Sequence, residues 1–209
     1  MTGNKKQTES TKSGESAFRT VAGALLASMV FLSVHHRSKA EATDDKVSWR
    51  EEGLLTIIAL RSSGITLWLS ALLYVVNPRW MRWSRVDLPD AARWAGAVLA
   101  ATALPLAHWT LSSLGKNVTP TVATRERHEL VTSGPYRWVR HPLYSVGTLF
   151  VASFALLAAN WFVFLSTVST LVLVLIRLSK EEEKLIERFG DEYRAYMKRT
   201  GRLLPRPRG

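Results

Sequence analysis

The sequence contains one long uncharged run, PLYSVGTLFVASFALLAANWFVFLSTVSTLVLVLI, residues 142–176, with 35 residues and no charged side chain. A helix that crosses the hydrocarbon core of a membrane needs about 20 apolar residues, so this run is too long for one ordinary crossing and fits two short ones. Ala158, Ala159 and Asn160 supply a turn near its middle. The stretch therefore predicts a helical hairpin, residues 142–176, whose two ends leave the membrane on the same face.

Three further apolar segments precede the hairpin, and each predicts a membrane helix: residues 18–35, 53–76 and 91–114. The apolar core of the first, residues 21–34, is short and also resembles a signal-peptide core, although no small-residue cleavage site follows it. The third contains Pro105, which kinks a membrane helix and is tolerated within a bundle. The second contains Arg61, which either snorkels to the membrane surface or faces inward to bind a polar group. Together with the hairpin, these segments predict an all-α integral membrane protein with about five transmembrane helices.

Composition and charge exclude several kinds of site and partner. The 209 residues include no cysteine, which excludes disulfides and thiolate-bound zinc, and we predict no metal site. The net charge is +11, but the basic residues mostly border the apolar segments. Anionic membrane lipids explain that placement, and we therefore expect no nucleic-acid partner. Residues 1–17 are polar and predict a disordered tail, residues 18–114 the N-terminal membrane helices, and residues 115–209 a separate functional region.

Basic residues on both sides of the hairpin predict its orientation. Cytoplasmic loops are enriched in Lys and Arg, so both flanks of the hairpin, and a C-terminal helix that follows it, are expected in the cytoplasm. The loop over residues 78–93 is also basic, although simple alternation of the crossings places that loop on the other side. The N-terminal topology is therefore left open. The basic residues concerned are Arg125, Arg127, Arg137 and Arg140 before the hairpin, Arg177, Lys180, Lys184 and Arg188 after it, and Arg79, Arg82, Arg85 and Arg93 in the loop.

The hairpin brings two polar segments together, GPYRWVRHPLY over residues 134–144 and EEE over residues 181–183. Pro142 suits the first turn of a helix, which places His141 at a helix N-terminus that attracts anions. Arg137 and Arg140 add positive charge there, and the glutamates can receive amino or hydroxyl groups. Taken alone, the first segment fits the basic flank of a membrane helix, and the second fits a solvated helix start. The two together predict a polar pocket at the membrane surface.

Two motif-bearing segments, HELVTSGPYRWVRHPLYSVG over residues 128–147 and EEEKLIERFGDEYRAYMKRTGRLLP over residues 181–205, carry a family resemblance. In them the chain resembles the isoprenylcysteine carboxyl methyltransferase and phospholipid methyltransferase family of integral membrane enzymes. That family has a His-x-Leu-Val-x-x-Gly-x-Tyr stretch leading into Arg-His-Pro-x-Tyr, then a helical hairpin, then Glu-Glu-x-x-Leu and Phe-Gly-x-x-Tyr. The likeness covers roughly the last 95 residues.

The resemblance implies methyl transfer from S-adenosylmethionine to a lipophilic or lipid-anchored acceptor, either a carboxylate or an amine, in a pocket that faces the cytoplasm. It implies catalytic roles for Arg140, His141 and Glu181. The cofactor contacts that it implies are His128, Leu130, Gly134, Tyr136, His141, Pro142, Tyr144, Glu181 and Glu182.

Two rival functions stay open at this point. Membrane sterol and steroid reductases have a similar C-terminal layout and bind NADPH, and a non-catalytic scaffold could keep the same helices. The chain contains no two glycines spaced two apart, so it lacks the G-x-G fingerprint of a Rossmann nucleotide site. The first three apolar segments match no acceptor-specific pattern, which leaves the acceptor and the oligomeric state open.

Overall fold

The computed structural model describes residues 2–41, 54–115 and 130–206. Their regular elements are five α-helices and two short 3-10 segments, Pro78–Ser84 and Gly134–Arg137. The predicted all-α architecture is confirmed for this part of the chain. The helices are α1 Thr2–Glu41, α2 Leu54–Val76, α3 Asp90–Leu114, α4 Pro142–Ala158 and α5 Trp161–Arg199.

Four of the described helices contain a segment that is long and apolar enough to cross a membrane: Gly14–His36 within α1, Leu55–Val76 in α2, α3, and the apolar first part of α5. The multi-pass membrane character is thereby confirmed. Helix α4 has 17 residues and is therefore about 25 Å long, slightly less than a hydrocarbon core. The predicted number of about five crossings includes this shorter helix. Helix α5 has 39 residues, and only its charge-free part, residues 161–176, suits the membrane interior.

The hairpin turn forms where the sequence predicts it. Ala159 adopts a left-handed conformation with φ 48° and ends α4. The Asn160 side-chain oxygen then accepts hydrogen bonds from the backbone N–H groups of Phe162 and Val163, both at 3.1 Å. Asparagine is a favoured residue at this capping position because its short side chain reaches the free N–H groups of the next helix. Helices α4 and α5 consequently run antiparallel.

Helices α3 and α4 approach each other closely through small residues. A Cβ atom on Gly96 would lie only 2.7 Å from the backbone nitrogen of Leu157 and from the backbone oxygen of Ser153. The same face of α3 buries a series of alanines. Small side chains let the two backbones approach, which is how helices in membranes gain packing energy. The alanines are Ala97, Ala100, Ala103 and Ala107.

Helix α1 begins at Thr2, and Glu15, within the range 1–17 that was predicted as a polar tail, has tertiary contacts. The Glu15 carboxylate accepts hydrogen bonds from Arg93 Nη1 at 2.9 Å and from the Tyr74 hydroxyl at 3.1 Å. Arg93 Nε donates to the backbone oxygen of Leu157 at 3.0 Å. This network joins α1, α2, α3 and α4.

The helices alternate in direction and so define two ends of the bundle. At one end, α3 stops, α4 begins, and His36 of α1 lies 3.2 Å from His108 of α3. We call this the site end. At the other end, the turn between α4 and α5 contacts the segment that follows α2, where Val86 N–H donates to the backbone oxygen of Ala159 at 2.8 Å. We call this the turn end.

Candidate functional site

Side chains from the two predicted polar segments meet at the site end. Arg140 Nε donates to Glu182 Oε1 at 2.9 Å, and His141 Nε2 lies 3.3 Å from the same oxygen. The Tyr144 hydroxyl donates to Glu181 Oε2 at 2.9 Å. We call Arg140, His141, Tyr144, Glu181 and Glu182 the carboxylate cluster. The hairpin therefore does bring the Arg-His-Pro segment against the paired glutamates.

The chain after α5 completes the cluster from a third direction. Arg140 N–H donates to the backbone oxygen of Gly201 at 2.8 Å, and Gly201 N–H donates to the backbone oxygen of Trp138 at 3.0 Å. His141 N–H donates to the backbone oxygen of Arg202 at 3.1 Å. These bonds form a short parallel bridge. They hold the Arg140 backbone in one position, so its guanidinium is directed at Glu182.

A break in α5 lets the segment that follows it lie against the carboxylate cluster. Gly190 has φ 55° and ψ −125°, values that interrupt the helix and that side chains other than glycine adopt only with strain. The last helical turns then carry Tyr193 and Tyr196 beneath the site, where both are buried. The Tyr196 hydroxyl donates to the backbone oxygen of Tyr136 at 2.6 Å. The glycine of the Phe-Gly-x-x-Tyr motif thus positions both tyrosines.

Glu182 is the more buried of the two predicted carboxylates, with a side chain 11% exposed. Its oxygens contact Arg140, His141 and Arg202, whose Nε lies 3.1 Å from Oε2. Burial by itself would raise the pKa of Glu182, but the hydrogen bonds from His141 and Arg140 outweigh it and lower that pKa to about 2. Glu182 therefore stays ionised. Its contacts connect α5 to the segment before α4 and to the segment after α5.

Glu181 is more open, with 25% of its side chain exposed. One oxygen accepts a hydrogen bond from the Tyr144 hydroxyl, and the other lies 3.8 Å from His141 Nδ1. A carboxylate can accept about four hydrogen bonds, and the contacts described for Glu181 are fewer than those of Glu182. Of the two, Glu181 is therefore the better placed to receive an added ligand.

Gly134 and Tyr136 have structural reasons for their identity. Gly134 has φ 58°, and a Cβ atom there would collide with the Ser113 hydroxyl at the end of α3. Tyr136 is buried, and burial raises the pKa of its phenol, so the hydroxyl stays protonated. The Arg137 guanidinium stacks over the Trp138 ring at 3.7 Å, and that ring packs edge-on against Trp109 of α3. The loop is thus folded tightly onto α3.

Tyr193 lies near Glu182 and Arg140, although it was not among the predicted site residues. The residue is 1% exposed, and its hydroxyl has no hydrogen-bond partner among the described residues. Burial, with a further contribution from the charge of Glu182, raises its pKa, so the phenol is a donor at neutral pH. A buried donor without a partner is costly. The Phe-Gly-x-x-Tyr motif was the available signal for this residue.

The remaining predicted residues lie in different settings. His128 lies outside the described residues, as do Arg125 and Arg127. Leu130 is half-buried. Pro142 is buried at the first turn of α4, with His141 as the residue that precedes the helix, as predicted. Glu183, the third residue of the glutamate run, is exposed.

Three comparisons with known proteins agree with the sequence motifs. Residues 91–192 match the family model for phospholipid methyltransferase. A 70-residue stretch is 33% identical to methanethiol S-methyltransferase 1 of Bradyrhizobium diazoefficiens and covers 34% of this chain and 24% of that protein. The fold is similar to that of a eukaryotic intramembrane Ras methyltransferase, isoprenylcysteine carboxyl methyltransferase. That alignment has a TM-score of 0.55 and 20% identity, and it covers 88% of this chain and 66% of the other. The family resemblance is confirmed.

Proposed function

We propose that this chain, whose residues 91–192 match the family model for phospholipid methyltransferase, transfers a methyl group from S-adenosylmethionine to a lipophilic acceptor at the membrane surface. The observation that carries the proposal is the carboxylate cluster. In it, the buried Glu182 holds Arg140 and His141 in place, while the more open Glu181 lies beside them. The family and the similar proteins support membrane methyltransferase activity.

The chemistry of the cluster fits the functional groups of the cofactor. S-adenosylmethionine presents a sulfonium cation, an amino group, a carboxylate and ribose hydroxyls. Glu181 can accept hydrogen bonds from the amino group or the hydroxyls, and the partnerless hydroxyl of Tyr193 can donate one. Aromatic rings stabilise a nearby cation by about 0.5–2 kcal/mol. We propose these cofactor contacts: His128, Leu130, Gly134, Tyr136, His141, Pro142, Tyr144, Glu181 and Glu182.

The bound cofactor would supply a methyl group on a positively charged sulfur. The protein's contribution is chiefly to hold the reactants in line, and orientation of this kind can supply much of the reduction in barrier. Glu182 orients the Arg140 guanidinium, and the planar guanidinium has five N–H donors, which suit an anionic group. A carboxylate acceptor needs no base, whereas an amine acceptor must lose a proton, for which His141 or Glu181 is the candidate. Arg140, His141 and Glu181 are therefore our proposed catalytic residues.

The position of the site supports a lipophilic acceptor. The cluster lies where α4 and α5 leave their apolar segments, so an acceptor with an apolar tail can reach it from the membrane. The similar proteins are named for a thiol in one case and for an isoprenylcysteine carboxyl group in the other. We propose a lipophilic or lipid-anchored acceptor with a carboxylate or amine nucleophile. We also propose that the site end faces the cytoplasm.

The first test is binding to the detergent-purified full chain. Adenosylhomocysteine should raise the midpoint of thermal unfolding in a saturable way, because a ligand that binds only the folded state stabilises it. The Glu181→Gln variant should lose this effect, and Arg194→Gln, an exposed position on α5, should keep it. Stabilisation by NADPH with none by adenosylhomocysteine would support a reductase instead. Stabilisation by neither would support a scaffold.

Methyl transfer is then measured directly. The wild-type chain in lipid vesicles is given S-adenosylmethionine with a radioactive methyl group and one acceptor at a time: a prenylated cysteine, a phosphatidylethanolamine or a long-chain thiol. We expect label in the carboxylate or amine acceptor. Label in the thiol alone would overturn the proposed acceptor class while keeping the methyltransferase.

A further inference from the structure

A second polar cavity lies at the turn end, away from the carboxylate cluster. Its volume is about 660 Å³, and it is bounded by α1, the end of α2, the 3-10 segment Pro78–Ser84 and the turn between α4 and α5. Four arginines line it, with one carboxylate, Glu15. We call it the arginine cavity, and the four arginines are Arg19, Arg79, Arg82 and Arg85.

Hydrogen bonds fix the walls of the arginine cavity. Arg19 Nη2 donates to the last backbone oxygens of α2, at 3.0 Å to Val75 and 2.6 Å to Val76. The buried Asn160 amide donates to the Ser84 hydroxyl at 2.9 Å, which attaches the 3-10 segment to the hairpin turn. Asn77 Oδ1 accepts the Arg79 N–H at 3.1 Å and starts that segment. The arginine cavity is therefore pre-organised, which lowers the entropic cost of binding.

The charge of the arginine cavity is positive. The Glu15 carboxylate is already neutralised by Arg93, whose Nη1 and Nη2 lie 2.9 and 3.2 Å from its two oxygens. The Arg85 contact with Asp87 is 3.8 Å long and lies between exposed side chains, so it contributes little. Arg79 and Arg82 are exposed. Planar guanidinium groups of this kind match the oxygens of a phosphate.

Tryptophans place the arginine cavity at a membrane boundary. Trp80, Trp83 and Trp161 are exposed beside it, and the Trp83 and Trp161 rings pack edge-on at 5.3 Å. Tryptophan is enriched where lipid headgroups meet the hydrocarbon core. A ligand here can place an anionic head among the arginines and its acyl chains in the bilayer. This arrangement favours a lipid over a free anion.

We propose that the arginine cavity binds the phosphate-bearing headgroup of an anionic membrane phospholipid. This site is separate from the carboxylate cluster and stands independently of the proposed methyl transfer. Binding there would hold together α1, α2 and the hairpin turn, whose residues all line the cavity.

The test measures lipid binding to the purified full chain in a neutral detergent. Short-chain phosphatidylglycerol is titrated, with short-chain phosphatidylcholine and inorganic phosphate in parallel, and bound lipid is counted by native mass spectrometry. The wild type should bind phosphatidylglycerol saturably and more weakly at high salt. Replacing Arg79 and Arg82 together by Gln should weaken binding about 30-fold, from the contribution of each arginine near an anionic surface.

Control variants make the result specific. Arg194→Gln removes an exposed arginine of α5 that lies outside the cavity, and it should leave the affinity unchanged. The double variant Arg79→Lys, Arg82→Lys keeps the charge and should retain most of the binding. If the double Gln variant does not fold, Arg79→Gln alone should weaken binding about fivefold. The proposal is overturned if phosphatidylglycerol does not bind, if the Gln variants bind it as well as the wild type, or if phosphatidylcholine or inorganic phosphate binds equally well.

Discussion

The strongest quantitative prediction concerns Glu182→Gln, an isosteric change that removes one negative charge from the carboxylate cluster. In the wild type, this carboxylate contacts Arg140 at 2.9 Å, Arg202 at 3.1 Å and His141 at 3.3 Å, and its side chain is 11% exposed. The glutamine amide keeps one acceptor oxygen but directs an NH₂ group towards donors. Arg140 then keeps its buried charge without a compensating partner, which is a costly arrangement.

The size of the effect follows from the pKa of the carboxyl group. A lowering from 4.5 to about 2 corresponds to about 3 kcal/mol of extra stability for the folded protein with Glu182 ionised. For a chain of this length, such a loss lowers the thermal midpoint by about 10 °C. Because the folded pKa is the lower one, the contribution is complete above about pH 4.5 and disappears as the pH falls towards 2. The difference between variant and wild type should therefore be constant between pH 6 and 8 and shrink below about 4.5.

Thermal unfolding of detergent-purified protein, followed by intrinsic tryptophan fluorescence, measures this difference. The matched control is Glu181→Gln at the neighbouring position, where the carboxylate is more exposed and has the Tyr144 hydroxyl as its hydrogen-bond partner. We expect that variant to unfold within about 2 °C of the wild type and to lose adenosylhomocysteine binding. An unchanged midpoint for Glu182→Gln, or an equal loss in both variants, would refute the division of roles between the two glutamates.

Three further predictions test other parts of the structure. Gly134→Ala should destabilise the protein by about 1–2 kcal/mol, because φ is positive and the new methyl group meets Ser113; Ser113→Gly should recover part of the loss in unfolding experiments, and no recovery would argue against the contact. Tyr193→Phe should leave the thermal midpoint unchanged or raise it, since it removes a buried donor without a partner among the described residues. It should also weaken adenosylhomocysteine binding about fivefold by calorimetry, and an unaltered affinity would show that Tyr193 is not part of the site. Arg93→Met should cost about 3 kcal/mol by leaving the Glu15 charge uncompensated, and adding Glu15→Gln should restore stability in a double-mutant cycle, whereas additive losses would contradict the pairing.

Features that depend on local composition were predictable from the sequence. The charge-free run over residues 142–176 implied two antiparallel helices, and the observed turn at Ala159 and Asn160 lies where the sequence placed it. Pro142 likewise marked the first turn of α4. Such features follow from segment length, apolar content and the geometry of one or two residues. Neighbouring residues alone supply that information.

The pairing of distant side chains depends on the tertiary structure. The link between Glu15 and Arg93 joins residues 78 positions apart, and nothing in the polar N-terminal sequence indicated it. The two neighbouring glutamates of the cluster look alike in the sequence. Their different burial arises because the break at Gly190 redirects the end of α5. The segment after α5 then lies against the site and places Arg202 against Glu182. Burial and ion pairing depend on how helices pack in three dimensions, whereas periodicity and hydropathy describe each helix separately.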